Sequence, residues 1–222
     1  MPCSCCSAKA YADFFDEKLA HKDARRYRRR GLDAAARTMM RFLTGRGVGG
    51  QRVLEVGGGI GGIQLELLAA GASRTENVEL SPGYEAVARG LARERGFDER
   101  IERHVGDFAA IADEVEHADV VVLHRVVCCY PDLDELLGAA AERAKRLLVL
   151  TYPPHNVLSR AAVAAVNLVQ RVRGSDFRAF VRPAREIVRV GESRGLRLVR
   201  EEPASPIWRW AAFERDPAVP SI

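Results

Sequence analysis

The sequence predicts an α/β fold: a doubly wound, mostly parallel seven-stranded sheet with an N-terminal helical cap. Three observations predict it. Short apolar runs alternate with helical patterns from 52 to 152, the signature of a parallel sheet wrapped by helices. The run ADVVVLHRVV at 118–127 is nearly all apolar at its start, as a strand covered on both faces requires. The turn VGGGIGG joins the first apolar run to a helix, where missing side chains let a ligand approach the backbone.

The elements follow in order. Residues 11–43 read as helical, with Phe14, Leu19, Tyr27, Leu32, Met39 and Phe42 among the apolar positions, until TGRGVGG breaks the helix. RVLEV (52–56) is the first strand, and IQLELLAAG (63–71) is a helix closed by Gly71. TENVEL (75–80) is the second strand. Ser81 and Pro82 then suit the cap and first turn of a helix running to 96. RIERHVGD (100–107) and ADVVVLHRVV (118–127) are the third and fourth strands. A helix at 132–144, a strand at 145–153 and helices at about 157–173 and 183–195 follow. LRLVREE and PIWRWAAFER are the two final strands. This divides the chain into a cap or leader at 1–44, a main domain at 45–216 with an inserted helix at about 157–173, and a tail at 217–222.

Composition narrows the class. With 222 residues, 47% hydrophobic and 29% charged, the chain can bury one large core. No stretch reaches the ~20 apolar residues of a membrane helix, and no membrane partner is expected. The start, MPCSCCSAKAYADFF, lacks a basic region followed by an apolar one, so it does not read as a signal peptide. The expected compartment is the cytoplasm, where thiols stay reduced. Five cysteines, an odd number, do not suggest a disulfide framework. The net charge of +4 is concentrated in HKDARRYRRRG at 21–31, a run that reads as a solvated helix face or as a meeting place for carboxylate or phosphate groups.

The glycine turn carries the most information. Gly57, Gly59 and Gly61 follow a strand and open a helix, and Glu79 ends the next strand eighteen residues past Gly61. A carboxylate there can accept hydrogen bonds from both hydroxyls of a ribose. Gly57, Gly59 and Gly62 also satisfy the dinucleotide fingerprint. However, Glu55 beside the loop suits a cationic ligand better than a pyrophosphate. LEVGGGIGG resembles the first motif of the class I S-adenosylmethionine-dependent methyltransferases, and GDF at 106–108 resembles a later one. The resemblance covers 45–152 and extends more loosely to 214. It implies S-adenosyl-L-methionine as cofactor, with Glu55, Gly57, Gly59 and Gly61 around its methionine moiety and Glu79 on its ribose. It further implies Asp107 at the adenine amino group, with Leu80, Phe108, His124 and Arg125 completing the cofactor site and the last strand antiparallel.

After the fourth strand, many small-molecule members of that family carry a histidine pair. This chain carries Cys128-Cys129 there, then Tyr130. That leaves Tyr130, Cys129 and His124 as the catalytic candidates. A tyrosine with its ordinary pKa near 10 is a poor base at neutral pH, and a cysteine acts only as a stabilised thiolate. An ionised carboxylate acceptor would need no base. The segments RVVCCYPDLDELL, LLVLTYPPHNVLSRAAVAAVNLVQR and RAFVRP resemble the magnesium-protoporphyrin O-methyltransferase branch. That resemblance implies O-methylation of an anionic, carboxylate-bearing small molecule, with the inserted helix as a lid or substrate wall. Arg178 and Arg182, beside Phe180, and Arg25 to Arg30 are the cations expected to meet such a substrate.

Three other readings fit parts of the sequence. Cys3, Cys5 and Cys6 could join Cys128 and Cys129 in a metal- or metalloid-thiolate site, although their spacing matches no known zinc pattern, and no resident metal is expected. The arginine run raises a nucleic-acid methyltransferase, without the motif such enzymes carry after the fourth strand. The glycine pattern alone would also serve a nicotinamide-dependent reductase.

Overall fold

The computed structural model describes residues 7–215; Cys3, Cys5 and Cys6 lie outside them. Three helices open the chain where the sequence suggested one: α1 (Ala8–Phe14), α2 (Glu17–Arg30) and α3 (Ala34–Gly45). The breaks have local causes. Asp16 and Asp33 cap the second and third helices, each accepting backbone N–H groups of the first turn, and Gly31 ends α2 at φ 64°. β1 (Arg52–Val56), α4 (Gly62–Ala69), β2 (Arg74–Glu79), α5 (Glu85–Glu94), β3 (Ile101–Val105), α6 (Phe108–Ile111) and β4 (Ala118–Leu123) follow. Then come α7 (Leu133–Arg143), β5 (Ala144–Tyr152), α8 (Val157–Val172), α9 (Ala184–Ser193), β6 (Leu196–Ser205) and β7 (Trp208–Arg215).

The seven strands form one sheet in the order β3-β2-β1-β4-β5-β7-β6, with β7 antiparallel to both neighbours and the rest of the pairing parallel. Strand residues alternate between two cores. Val121, Leu123, Leu148, Leu150 and Phe213 pack with α7 and α9 on one face. Val120, Val122, Leu147, Val149 and Trp210 pack with α3 and α4 on the other. This two-sided burial explains the unbroken apolar run in β4.

β4 stops at Leu123, four residues short of the expected end. Arg125 takes φ 63°, the single positive value among the described non-glycine residues. A left-handed residue cannot continue a strand, so the chain turns out of the sheet there. The sheet order reverses between β1 and β4, which opens a crevice at their carboxyl ends.

Candidate active site

The crevice is a cavity of about 410 Å³, a normal size for a small-molecule site. The glycine loop forms its floor. Gly57 donates its N–H to the Val78 carbonyl (2.8 Å). Gly58 donates to Asn77 Oδ1 (3.0 Å) and Gly59 to Glu79 Oε2 (2.8 Å). Gly59 sits at φ 55°, and a Cβ there would lie 3.3 Å from the Tyr84 ring, so glycine answers both a backbone and a packing demand. The other Glu79 oxygen accepts the Ser81 N–H (3.0 Å), which leaves lone pairs on both oxygens for further donors. Arg103 on β3 holds the loop from below, donating to the Gly59 carbonyl (3.0 Å) and to Glu85 (2.9 Å).

Glu55 lies beneath the loop at 1% exposure, and its Oε2 has no hydrogen-bond partner. Burial pushes its pKa up to about 8, opposed by Arg103 and the Gln64 N–H and reinforced by Glu79. Burial raises Glu79 as well. Because the folded-state value of Glu55 exceeds its ordinary one, its neutral form favours folding. That stability is whole below about pH 4 and is lost as pH rises through about 8. The stability of the cofactor-free protein, read from its urea midpoint, is therefore expected to fall between about pH 4.5 and 8, by up to ~1.4 kcal/mol per pH unit from this group. Glu55→Gln should flatten that fall; an unchanged slope would place the proton elsewhere.

At the mouth of the cavity, four segments meet. Asp33, the cap of α3, approaches His124 Nε2 at 3.1 Å, Arg125 Nη2 at 2.8 Å and Arg26 Nη2 at 3.5 Å. His124 Nδ1 faces the Thr151 hydroxyl at 3.0 Å, and that hydroxyl accepts the Arg125 N–H at 2.9 Å. The tautomer that satisfies every partner has Nε2–H donating to Asp33 and Nδ1 accepting from Thr151. Burial pushes the Asp33 carboxyl up, but the His124 hydrogen bond, the Ala36 N–H and the neighbouring cations outweigh it and hold the group well below the usual carboxylate range. Burial lowers His124, with Asp33 pulling the other way. The Arg125 guanidinium lies 4.8 Å over the Trp208 ring.

Tyr130 donates its hydroxyl to both Asp107 oxygens (3.1 and 3.0 Å), and burial together with Asp107 raises its pKa. Tyr11 donates to the Cys129 carbonyl, and the Cys128 and Cys129 sulfurs lie 3.6 Å apart. Among the described residues, no cluster of three or more metal-ligating side chains occurs.

The cavity thus gathers Glu55, Gly57, Gly59, Glu79, Leu80, Asp107, Phe108, His124, Arg125, Cys129 and Tyr130. Gly61 is not on it; at φ 75° it is the residue that caps α4. Other expectations change. Arg178 donates to the Ser175 and Phe177 carbonyls and Arg182 to the Tyr130 and Pro131 carbonyls, so neither lines the cavity. Of the arginine run only Arg26 does, while Arg28 pairs with Glu94 on α5 at 2.6 Å. No residue of α8 lines the cavity, so it is not the wall that the sequence suggested. Sequence reasoning missed Asp33, Arg103 and Thr151, along with the wall that Tyr11, Phe15, Leu19 and Tyr27 form from the cap. The Asp before an apolar helical run was the one available signal, for Asp33.

A family model described as a methyltransferase domain matches residues 20–201. No curated protein sequence is significantly similar. Among solved structures, magnesium protoporphyrin IX methyltransferase from Synechocystis PCC 6803 with bound S-adenosylhomocysteine superposes with a TM-score of 0.65 at 18% identity, covering 82% of each chain. An O-methyltransferase family protein from Burkholderia thailandensis gives 0.66 at 20%, covering 81% of this chain and 56% of its own. An O-methyltransferase family 2 protein from Planctomyces limnophilus in complex with apigenin gives 0.61 at 20%, covering 84% and 63%. At these identities the likeness is one of fold.

Proposed function

The chain belongs to the methyltransferase-domain family and is an S-adenosylmethionine-dependent methyltransferase; we propose that it O-methylates a carboxylate-bearing small molecule. The cavity fits the cofactor. Its glycine floor has no side chains, Glu79 keeps lone pairs for ribose hydroxyls, and the unpartnered Glu55 oxygen suits a neighbouring cation. In this reading Gly57, Gly59, Glu79, Leu80, Asp107 and Phe108 hold the cofactor, with Glu55 set against its positive charge. When bound, S-adenosylmethionine supplies an electrophilic methyl group on a sulfonium.

One observation carries the choice of acceptor. His124 has both ring nitrogens engaged, and Tyr130, a poor base with a raised pKa, donates its hydroxyl to Asp107, while two guanidinium groups, Arg26 and Arg125, which share Asp33 as counter-ion, line the same cavity. A phenol or amine must lose a proton; an ionised carboxylate need not, and arginine is its natural partner. The protein's share is then to hold the acceptor in line and exclude water. Arg26 and Arg125 take the catalytic-site roles first expected of Tyr130, Cys129 and His124, and His124 becomes a positioning residue for Arg125.

Methyl transfer from labelled S-adenosylmethionine to planar carboxylic acids and to their amides tests this. The acids are expected to be methylated and the amides not. Arg125→Ala should raise KM by about ten- to a hundredfold, as expected for losing a charged hydrogen bond, with little change in kcat. Turnover of phenols or amines with a base-dependent pH profile, and none of acids, would overturn the reading.

A further inference from the structure

Helix α8 is inside out. At about 100° per residue, Val157, Leu168, Val172, Leu158 and Val169 fall in one arc of about 120°. They are 83%, 61%, 81%, 72% and 46% exposed. The opposite face turns inward and is largely polar. Gln170 is buried, and Asn167 exchanges two hydrogen bonds with the Ala179 backbone (2.9 and 2.8 Å). A helix that only covers a core does the reverse. A contiguous exposed apolar face of this kind marks an interaction surface.

Charge selects the partner. His155, Arg160, Arg171 and Arg173 are exposed on or beside the helix, and no Asp or Glu occurs from 143 to 175. A second apolar point lies at the same end of the sheet. Tyr152, the last residue of β5, pairs with Arg209, which puts the β6–β7 turn there, and Ile207 in that turn is 61% exposed. This is also the edge at which the cavity lies, beyond the ends of β1, β2 and β4. An exposed apolar helix face flanked by cations, with no acid on the helix itself, fits an anionic lipid interface. With 16 residues, α8 is shorter than the ~20 that cross a bilayer, and no helix of the described residues is long and apolar enough to cross.

We propose that the outward face of α8 is a peripheral membrane-binding surface that lays the enzyme on an anionic bilayer. The sequence predicts no membrane partner, and this proposal departs from that expectation. The surface stands apart from the acceptor assignment and neither rests on it nor supports it.

Cosedimentation of the full chain at low salt tests it, with vesicles of phosphatidylcholine alone and of equal parts phosphatidylcholine and phosphatidylglycerol. Binding is expected to the mixed vesicles only. Leu158→Asp with Val172→Asp should weaken it about tenfold or more, and Arg160→Glu with Arg171→Glu should do so by a similar factor. All four side chains are solvent-facing, so calorimetry with S-adenosylhomocysteine should give wild-type affinity and certify the fold. No binding of the wild-type chain to mixed vesicles would overturn the proposal, as would equal binding of the double-aspartate protein. A concentration-dependent dimer abolished by those aspartates would overturn it too, by assigning the face to a second copy of the chain.

Discussion

Calorimetry with S-adenosylhomocysteine is expected to detect no binding to a Gly58→Ala protein, although Gly58 has no left-handed backbone angle to lose. The obstacle is space. A Cβ at Gly58 would lie 2.4 Å from Asn77 Oδ1 and 2.6 Å from Glu55 Oε2. Neither acceptor can yield, because Asn77 is fully buried and Glu55 is 1% exposed. The loop must lift, and lifting it pulls Gly59 away from Glu79 and from Arg103, both of which hold it. The methyl also crowds a packed interior, at a cost of about 1–3 kcal/mol, so a lowered melting temperature should accompany the loss of binding. Gly61→Ala is the control. It strains a left-handed residue, at about 1–2 kcal/mol, and meets side-chain ends, Gln64 Oε1 at 2.9 Å and Arg103 Nη1 at 3.4 Å, at wider distances than at Gly58. Because Gly61 is off the cavity, its substitution should lower stability and leave affinity within a few-fold of wild type. Wild-type affinity in the Gly58→Ala protein would reject the loop as the cofactor cradle.

The contrast between Gly58 and Gly61 shows what the sequence could reveal. The glycine spacing and Glu79 were legible because strand, turn, helix and second strand are contiguous, and local rules order them. The same spacing ranked Gly61 above Gly58, since a pattern of glycines says nothing about what lies behind each. Arg103 was invisible for a related reason: its task depends on β3 pairing beside β2, a long-range fact. The unbroken apolar run of β4 hid its own end, because Val126 and Val127 suit a strand as well as the loop they occupy. In α8 the apolar arc was plain, but which way it faced depended on Asn167 meeting Ala179. Periodicity gives the face of a helix, and only packing gives its direction.

Asp33→Ala is expected to be the most damaging substitution outside the glycine loop, though Asp33 sits on the cap and not in the sheet. Three losses coincide. The Ala35 and Ala36 N–H groups lose the oxygen that caps α3 at 2.9 and 3.0 Å, a cost of about 1 kcal/mol. Arg125 and Arg26 lose their counter-charge, and His124 loses its Nε2 partner. Breaking a buried pair costs about 3–5 kcal/mol, but both arginines are more than a third exposed, so solvent reduces that sum. A total of about 3 kcal/mol is expected, a large share of a typical 5–15 kcal/mol, read as a drop in urea midpoint. Asp33→Asn keeps a good capping oxygen and removes only the charge, so it should cost about 1–2 kcal/mol by retaining the cap. The functional readout should separate the two halves of the cavity. Affinity for S-adenosylhomocysteine, held by Glu79 and the loop, should stay near wild type in the Asn variant. KM for the acceptor should rise with little change in kcat, because Arg125 keeps its left-handed backbone angle but loses the carboxylate that aims it. If the Asn and Ala variants are equally destabilised, charge is what matters and the cap contributes little. If neither differs from wild type, the Asp33 network is solvated in solution, and Arg125 is aimed by Thr151 and Trp208 alone.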